Sequence, residues 1–593
     1  MTKQGHTVSS PLPTWDLSDL VKHPLRDFTR LSRQLEASVE RLEQLRDHLT
    51  PSVSSETFQA ALDCLETIAK LSAKLGAFAH LWFAENTKNQ EARAFESRVR
   101  ERLTQIHTRT LFFQLWWQSL DDEVADKLLP YSGDTRYYLD TLRRLRRFRL
   151  SEPEERVLSV KNSTGREALD ALYGVFTSGL TFRLRIGSRV RALTREQLMA
   201  YVQSPDARLR KAAYDQLLTV YASQRDVLGE MYRTVVQDWK NEFVALRGYP
   251  SPMAVRNFTN DIPEEAVEAL LRTCRSSAKL FQRYFRLKAA ILNKRTLSRY
   301  DLYAPTRTSL PRISFRRAQE MVIGAYRRFS PQFAQLITRV LEEHHLDAHP
   351  RPGKMSGAFC YSVLPRLTPY VLVNFTGRPR DVATLAHELG HALHGLLARD
   401  RSLFTFHPSL PLAETASVFG EQLLMETLLN QERRKHIRQA LLVAHLDDLY
   451  ATVIRQAYFV EFERLAHRLA AEGATLDRLA DQYLALLHEQ FGEALHVPEI
   501  FRWEWLTIPH IFASPFYCYA YSFGNLLALA LYRQYQQEGP AFVPRYGALL
   551  AAGGSQSPEH LLRPLGVDIT TTAFWEQGFH HIRTIIDELE RTV

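Results

Sequence analysis

DVATLAHELGHALHGLL, residues 381–397, decides how the rest of the chain is read. At about 100° per residue, Val382, Leu385, Leu389, Leu393, Leu396 and Leu397 fall on one stripe, the pattern of a helix packed on one side. His387, His391 and His394 fall opposite, within roughly 60° of one another. Asp381 stands where an N-cap or first-turn acid stabilises a helix start. His387 and His391 are one turn apart, so both imidazoles can reach one metal ion; zinc takes nitrogen ligands at about 2.0–2.1 Å. Glu388, beside the first histidine, can reach a water on that ion and act as general base. The pattern is HExxH. A bare match arises by chance in chains of this size, but here it sits on a well-patterned helix that follows a strand-like segment.

A catalytic zinc takes three protein ligands and keeps a fourth position open. One common extension needs glycine at 394 and histidine at 397; the chain has His394 and Leu397, which excludes it. The other solution is a glutamate from a second helix. PLAETASVFGEQLLMETLL, 411–429, places Glu414, Ser417 and Glu421 on one face at i, i+3 and i+7. Glu414 is the choice for third ligand, and Ser417 and Glu421 are candidates for orienting the ligands through hydrogen bonds. His394 and His407 are rival ligands.

Around this centre the 593-residue chain is ordinary in composition, with 45% hydrophobic and 24% charged residues, and is long enough for two or more domains. Cys64, Cys274, Cys360 and Cys518 are far apart and form no CxxC pair. That argues against a disulfide framework or a cysteine-rich zinc site and fits a reducing, cytoplasmic setting. The N-terminal MTKQGHTVSSPLPTWDL has no apolar core of a signal peptide. No run reaches the length of a membrane span; the longest, near LLALALY, is cut by Arg533. The net charge is +9, and TLRRLRRFRL concentrates arginines at 143–149. A nucleic-acid patch is one reading. A solvated helix face answered by EPEE at 152–155 is the preferred one, so no nucleic-acid partner is expected.

Residues 1–25 are punctuated by prolines and are expected to wrap the surface. From about 30 to 175 apolar residues recur at helical spacing, predicting long antiparallel helices. TFRLRIGSRVRALT, 181–194, alternates around Gly187-Ser188 and predicts a β-hairpin. Helical spacing resumes at Arg195, with a helix start at Ile262-Pro263. TPYVLVNF, within the Gly- and Pro-rich stretch 347–377, predicts a strand. After about 381 the chain reads as helical almost to its end. The expected fold is mainly α and multi-helical, with a small β-sheet beside the histidine helix. Its domains are expected at 1–194, helical and ending in the hairpin, and 195–593, catalytic.

GKMSGAF, TPYVLVNFTG, DVATLAHELGHALH and LAETAS, in that order, resemble the thimet-type family of zinc oligopeptidases, most nearly its oligoendopeptidase F branch. WDLSDL at 15–20, ARLRKAAYDQL at 207–217 and PHIFASPFYCYAYSFG at 509–524 extend the likeness over nearly the whole chain. The resemblance implies a zincin-like fold around a deep central channel, and one zinc ion held by His387, His391 and Glu414 with Glu388 activating water. It implies that TPYVLVNF pairs with the substrate backbone, with Gly357 and Ala358 adding backbone contacts. Composition alone makes Tyr517, Tyr519 and Tyr521 core aromatics. The resemblance instead implies that His510 and Tyr519 stabilise the oxyanion, with Tyr517 and Tyr521 binding substrate. The implied activity is hydrolysis of internal bonds in short unstructured peptides by a monomer or weak homo-oligomer, with no membrane partner.

Overall fold

A computed structural model describes residues 12–306 and 310–593. The first part of the proline-punctuated segment lies outside the described residues. Residues 12–23 do more than wrap the surface. Trp15, Leu20 and Val21 are buried, Trp15 packs against Phe359 and Tyr370, and backbone bonds tie Asp16 to His344 and Pro13 to Ala348.

By contact the chain divides into two compact units: the described parts of 1–146, 311–428 and 535–565, and those of 147–310, 429–534 and 566–593. Neither is a continuous segment, so contacts do not follow a linear division at 194/195. The physical reason is visible in the first unit. Its N-terminal helices present apolar stripes that the chain beyond residue 310 covers: Leu31, Leu35, Phe58, Leu75 and Trp117 share one core cluster with Val363, Tyr370 and Leu372.

Three long helices open that unit, Pro24–Gln44, Ser55–Glu85 and Gln90–Ser119. Leu31, Leu35, Val39 and Leu42 form the buried stripe of the first. Ser54 Oγ caps the second by accepting Thr57 N–H at 3.2 Å, and Asn89 Oδ1 caps the third by accepting Glu91 N–H at 2.9 Å and Ala92 N–H at 3.2 Å. The short turn at 86–89 leaves the second and third helices antiparallel neighbours, as the spacing predicts.

The small sheet has the order Leu346–Asp347, Tyr370–Leu372, Phe359–Tyr361. Tyr370–Leu372 lies in the middle, parallel to the first strand and antiparallel to the last, with Cys360 opposite Val371. Its three side chains are fully buried. Both of its edges are therefore occupied, and the expectation that TPYVLVNF pairs with substrate is corrected. The open edge belongs to Phe359–Tyr361.

In the second unit the predicted hairpin forms from Phe182–Ile186 and Arg189–Leu193. Gly187 at its tip has φ +61°, a left-handed conformation that glycine adopts without strain. The helix expected after Ile262-Pro263 runs Glu264–Ser276. No helix among the described residues is long and apolar enough to cross a membrane, and all four cysteines are free.

Candidate metal centre

The histidine-bearing helix runs Pro379–Leu397. Proline in its first turn lacks an N–H that would have no partner there. Asp381 is the first-turn acid, and Arg378 holds the cap position. Asp381 Oδ2 accepts Thr376 N–H and Thr376 Oγ1–H, each at 2.7 Å, and Arg378 N–H at 3.1 Å. Val382, Leu385, Leu389, Leu393 and Leu396 are buried, which is the apolar stripe read from the sequence.

The glutamate-bearing helix, Leu410–Gln431, crosses it at two glycines. A Cβ on Gly390 would lie 2.5 Å from Ala416 O and 2.6 Å from Ser417 Cα. One on Gly420 would lie 3.0 Å from Ala386 O and strike the Tyr326 hydroxyl, which donates to Ala386 O at 3.2 Å. Only glycine permits so close an approach, and that approach brings Glu414 to the histidines.

His387 Nε2 and His391 Nε2 are 3.2 Å apart. Glu414 Oε2 lies 3.3 Å from the first and 3.5 Å from the second. Among the described residues this is the one group of three or more such side chains whose donor atoms converge within 4.8 Å. A tetrahedral ion with bonds of about 2.0–2.1 Å separates its ligands by about 3.3–3.4 Å, so the triangle has the right size. Two imidazoles and one carboxylate suit a first-row transition ion; magnesium and calcium favour oxygen shells.

The supports expected from the i+3 and i+7 positions are in contact. Ser417 Oγ–H donates to Glu414 Oε2 at 2.7 Å. Glu421 Oε1 accepts from His387 Nδ1 at 2.5 Å, which places the proton on Nδ1 and leaves the Nε2 lone pair for the triangle. Burial alone would lower the basicity of His387, but the Glu414 and Glu421 carboxylates outweigh it and hold its pKa well above the ordinary value. Burial pushes Glu414 up, and the two histidines more than reverse this, holding it far below the usual carboxylate range. Glu388, 6% exposed, is pushed up by burial against the downward pull of His387 and His391, which makes it a stronger base than an exposed glutamate.

These side chains line a cavity of about 700 Å³ whose lining also includes the open-edge strand, from Ala358 through Val363. Ala358 lines the cavity. Gly357, φ +83°, turns the chain into the strand, and Asn374 Nδ2 donates to its carbonyl at 2.9 Å. His394 and His407, the rival ligands, also line the cavity but lie outside the donor triangle. Burial drives His394 down to about 3, with a further push from His391 and His407, so it is a neutral wall. The strand Phe359–Tyr361 is the feature that the sequence reading passed over. Its signal was FCY, a β-favouring triplet too short to stand out.

The second unit carries the histidine–tyrosine segment. Tyr521 Oη lies 3.4 Å from His510 Nε2, and the Tyr517 ring lies 6.0 Å from the imidazole and 5.4 Å from Tyr521. Burial lowers the His510 pKa, with Arg455 adding to the effect, so the ring is held neutral. Tyr519 does not join this group. It is fully buried, and its hydroxyl accepts Asn260 Nδ2–H at 2.8 Å. Consecutive odd positions at the start of the helix Tyr519–Glu538 cannot share one face, so Tyr519 points inward where Tyr521 does not.

Residues 200–581 match the model of peptidase family M3. The chain is 26% identical over 589 residues to an oligoendopeptidase F homolog of Borreliella burgdorferi, covering 97% of this chain and 98% of the relative. It is 26% identical over 548 residues to the oligopeptidase PepF of Bacillus subtilis, covering 91% and 81%. A crystal structure from Chlamydophila abortus matches with a TM-score of 0.85 at 25% identity over 99% of both chains. That of oligoendopeptidase-F from Enterococcus faecium shares the fold, with a TM-score of 0.74 at 23% identity over 96% of this chain and 99% of the other. With the donor triangle, the crossing that builds it and these likenesses together, the chain belongs to peptidase family M3, in its oligoendopeptidase F branch.

Proposed function

We propose that this protein is a zinc-dependent endopeptidase that hydrolyses internal bonds of short, unstructured peptides. The donor triangle of His387, His391 and Glu414, set in the wall of a cavity that also holds Glu388, carries this reading. One zinc ion per chain suits these donors, with a coordination position left open. Bound there, zinc supplies Lewis-acid polarisation of the scissile carbonyl and acidifies the attacking water. Glu388 takes the water's proton on its carboxylate and delivers it to the leaving amine. Glu421 and Ser417 keep the His387 ring and the Glu414 carboxylate in register for the ion. The open edge of Phe359–Tyr361 pairs with the peptide main chain, a recognition mode that reads backbone before side chain. Within its own unit, the segment that carries His510, Tyr517 and Tyr521 is anchored by Tyr519 through Asn260.

The relatives' names, oligopeptidase and oligoendopeptidase, support the substrate class. A deep channel that admits extended chains and excludes folded domains belongs to the same proposal. The free thiols fit work in the reducing cytoplasm. Digestion of a mixed peptide library, with zinc measured on the same sample, tests the reading. Cleavage is expected to stop on chelation. Glu388→Gln is expected to keep its zinc and lose about 10²–10⁴-fold in kcat/KM. Wild-type rates from zinc-loaded Glu388→Gln would remove Glu388 from the mechanism, and chelator-insensitive cleavage would remove the metal.

A further inference from the structure

Where the ladder of the small sheet stops, a side chain carries it on. Counted back from Cys360 opposite Val371, the register brings Gly357 opposite Asn374. Gly357, at φ +83°, has left the extended conformation and ends the strand. The Asn374 amide supplies the missing bonds. Its Nδ2 donates to Met355 O at 3.0 Å and to Gly357 O at 2.9 Å, one for each of its two protons. The segment that leads into this turn is tied down as well. Gly353 O accepts Thr87 N–H at 2.7 Å, and Met355 N–H donates to Ala84 O at 2.9 Å. Lys354, with its side chain fully buried, donates to Asp347 O at 3.0 Å and Val373 O at 2.8 Å. Of these ties, the Asn374 amide is the one that reaches Gly357, two residues before the open-edge strand Phe359–Tyr361.

What that strand offers follows from the hydrogen bonds of its neighbour. Val371 N–H donates to His345 O at 2.8 Å and Val373 N–H to Asp347 O at 2.9 Å. The polar groups of Val371 therefore face the strand Leu346–Asp347. Opposed residues of an antiparallel pair alternate between exchanging hydrogen bonds and exchanging none. Cys360, opposite Val371, is in a pair that exchanges none, and Phe359–Leu372 and Tyr361–Tyr370 make the ladder. The N–H and C=O of Cys360 thus point to the open edge. This strand lines the same cavity as Glu388 and the donor triangle. Burial, with the Glu388 charge adding to it, pushes the Cys360 thiol well above its ordinary pKa, so strand and base lie within electrostatic reach.

We propose that Asn374 is a positioning residue for peptide recognition: by holding the 355–357 turn it fixes the open-edge strand so that the Cys360 main chain is the hydrogen-bonding pair for a substrate's backbone. The proposal rests on the peptidase reading above and adds the register in which the peptide docks. One pair is the anchor, because the strand is three residues long and an extended peptide presents an N–H to it only at every second residue. A one-residue slip of the strand would turn the Cys360 groups towards the sheet and away from its edge. The amide of Asn374 opposes that slip from the end where the ladder no longer does.

The test uses peptides of one length and one scissile bond in which a single backbone N-methyl group is walked along the chain, removing one N–H at a time. Kd is read by fluorescence anisotropy with zinc-loaded Glu388→Gln, where nothing is turned over, and KM and kcat are read with Glu388 in place. Sensitivity is expected to alternate along the peptide, with one position losing about tenfold in Kd and its immediate neighbours little. Asn374→Ala is expected to raise KM about tenfold for the unmethylated peptide with kcat little changed, and to flatten the N-methyl profile in the Glu388→Gln background. Its zinc affinity should equal that of the wild type. Gly357→Ala is the second variant should Asn374→Ala fail to fold. A Cβ there meets nothing within 4 Å, so it acts on the turn through φ alone, and the same flattening is expected. A profile without alternation, or one that keeps its shape in the variants while only the unfolding midpoint falls, would overturn the proposal. Peptide neither bound nor cleaved, or cleaved without zinc, would instead strike the peptidase reading.

Discussion

Each unit contains a cluster of buried carboxylate and cationic or imidazole groups, and the two clusters differ in what they leave unspent. In the second unit Glu504, 4% exposed, accepts from Arg299 at 2.6 Å, from Arg455 at 3.1 Å and from the Tyr483 hydroxyl at 3.2 Å. Both carboxylate oxygens accept, Oε1 from the two arginines and Oε2 from the tyrosine, and the arrangement is closed on itself. In the first unit Glu414 accepts from Ser417, yet its Oε2 and two imidazole Nε2 atoms converge with edges of 3.2–3.5 Å on a point that a cavity reaches. Burial and shifted pKa values occur in both clusters and so do not distinguish a site from a strut. Convergent lone pairs do.

That contrast breaks most sharply at Glu504. Glu504→Gln leaves Arg299, 1% exposed, as a buried charge without its counter-ion. The expected cost is about 3–5 kcal/mol of stability, read from urea or thermal unfolding, with zinc stoichiometry unchanged. A variant that unfolds at the wild-type midpoint would show that the network is not a strut. Next in size is Glu421→Gln. It keeps a hydrogen-bond partner for His387 but removes the charge that raises the ring's basicity, so zinc affinity is expected to fall about 10–100-fold in a chelator competition titration. Its unfolding midpoint without metal should stay close to that of the wild type. A loss of stability with affinity intact would place Glu421 with the struts.

The donor side chains were legible because their spacing is local: an i, i+4 pair on a striped helix and an i, i+3, i+7 face on the next. The hairpin at 182–193 was legible for the same reason, since Gly187-Ser188 sits between two alternating runs. What was misread depends on partners distant in sequence. FCY and YVL are both competent strands, and which becomes the open edge is decided by Leu346–Asp347, which takes one side of Tyr370–Leu372. Tyr519 and Tyr521 are two residues apart in an aromatic-rich segment, and Asn260 decides which one turns inward. The close crossing at Gly390 and Gly420 was visible only as letters, because a glycine inside a helix does not announce what will press against it.

The smallest expected effect concerns the arginines at 143–149, the strongest local charge in the sequence. The structure gives several of them intramolecular work. Arg143 and Arg146 both pair with Asp122, at 2.5 and 2.8 Å, Arg144 lies over the Tyr137 ring, and Arg147 lies over Phe148 and Phe258. Their charge is spent as Glu504's is, but on a partner that faces water: Asp122 is 67% exposed. Asp122→Asn should therefore move the melting temperature by less than about 2 °C at low salt, and by nothing measurable at high salt, where such pairs are screened. A duplex-DNA titration of the wild type, run over the same salt series, should give only weak binding that fades with salt. Tight, salt-resistant binding that weakens when Arg144 and Arg147 are neutralised would reverse the reading and make this run an interface.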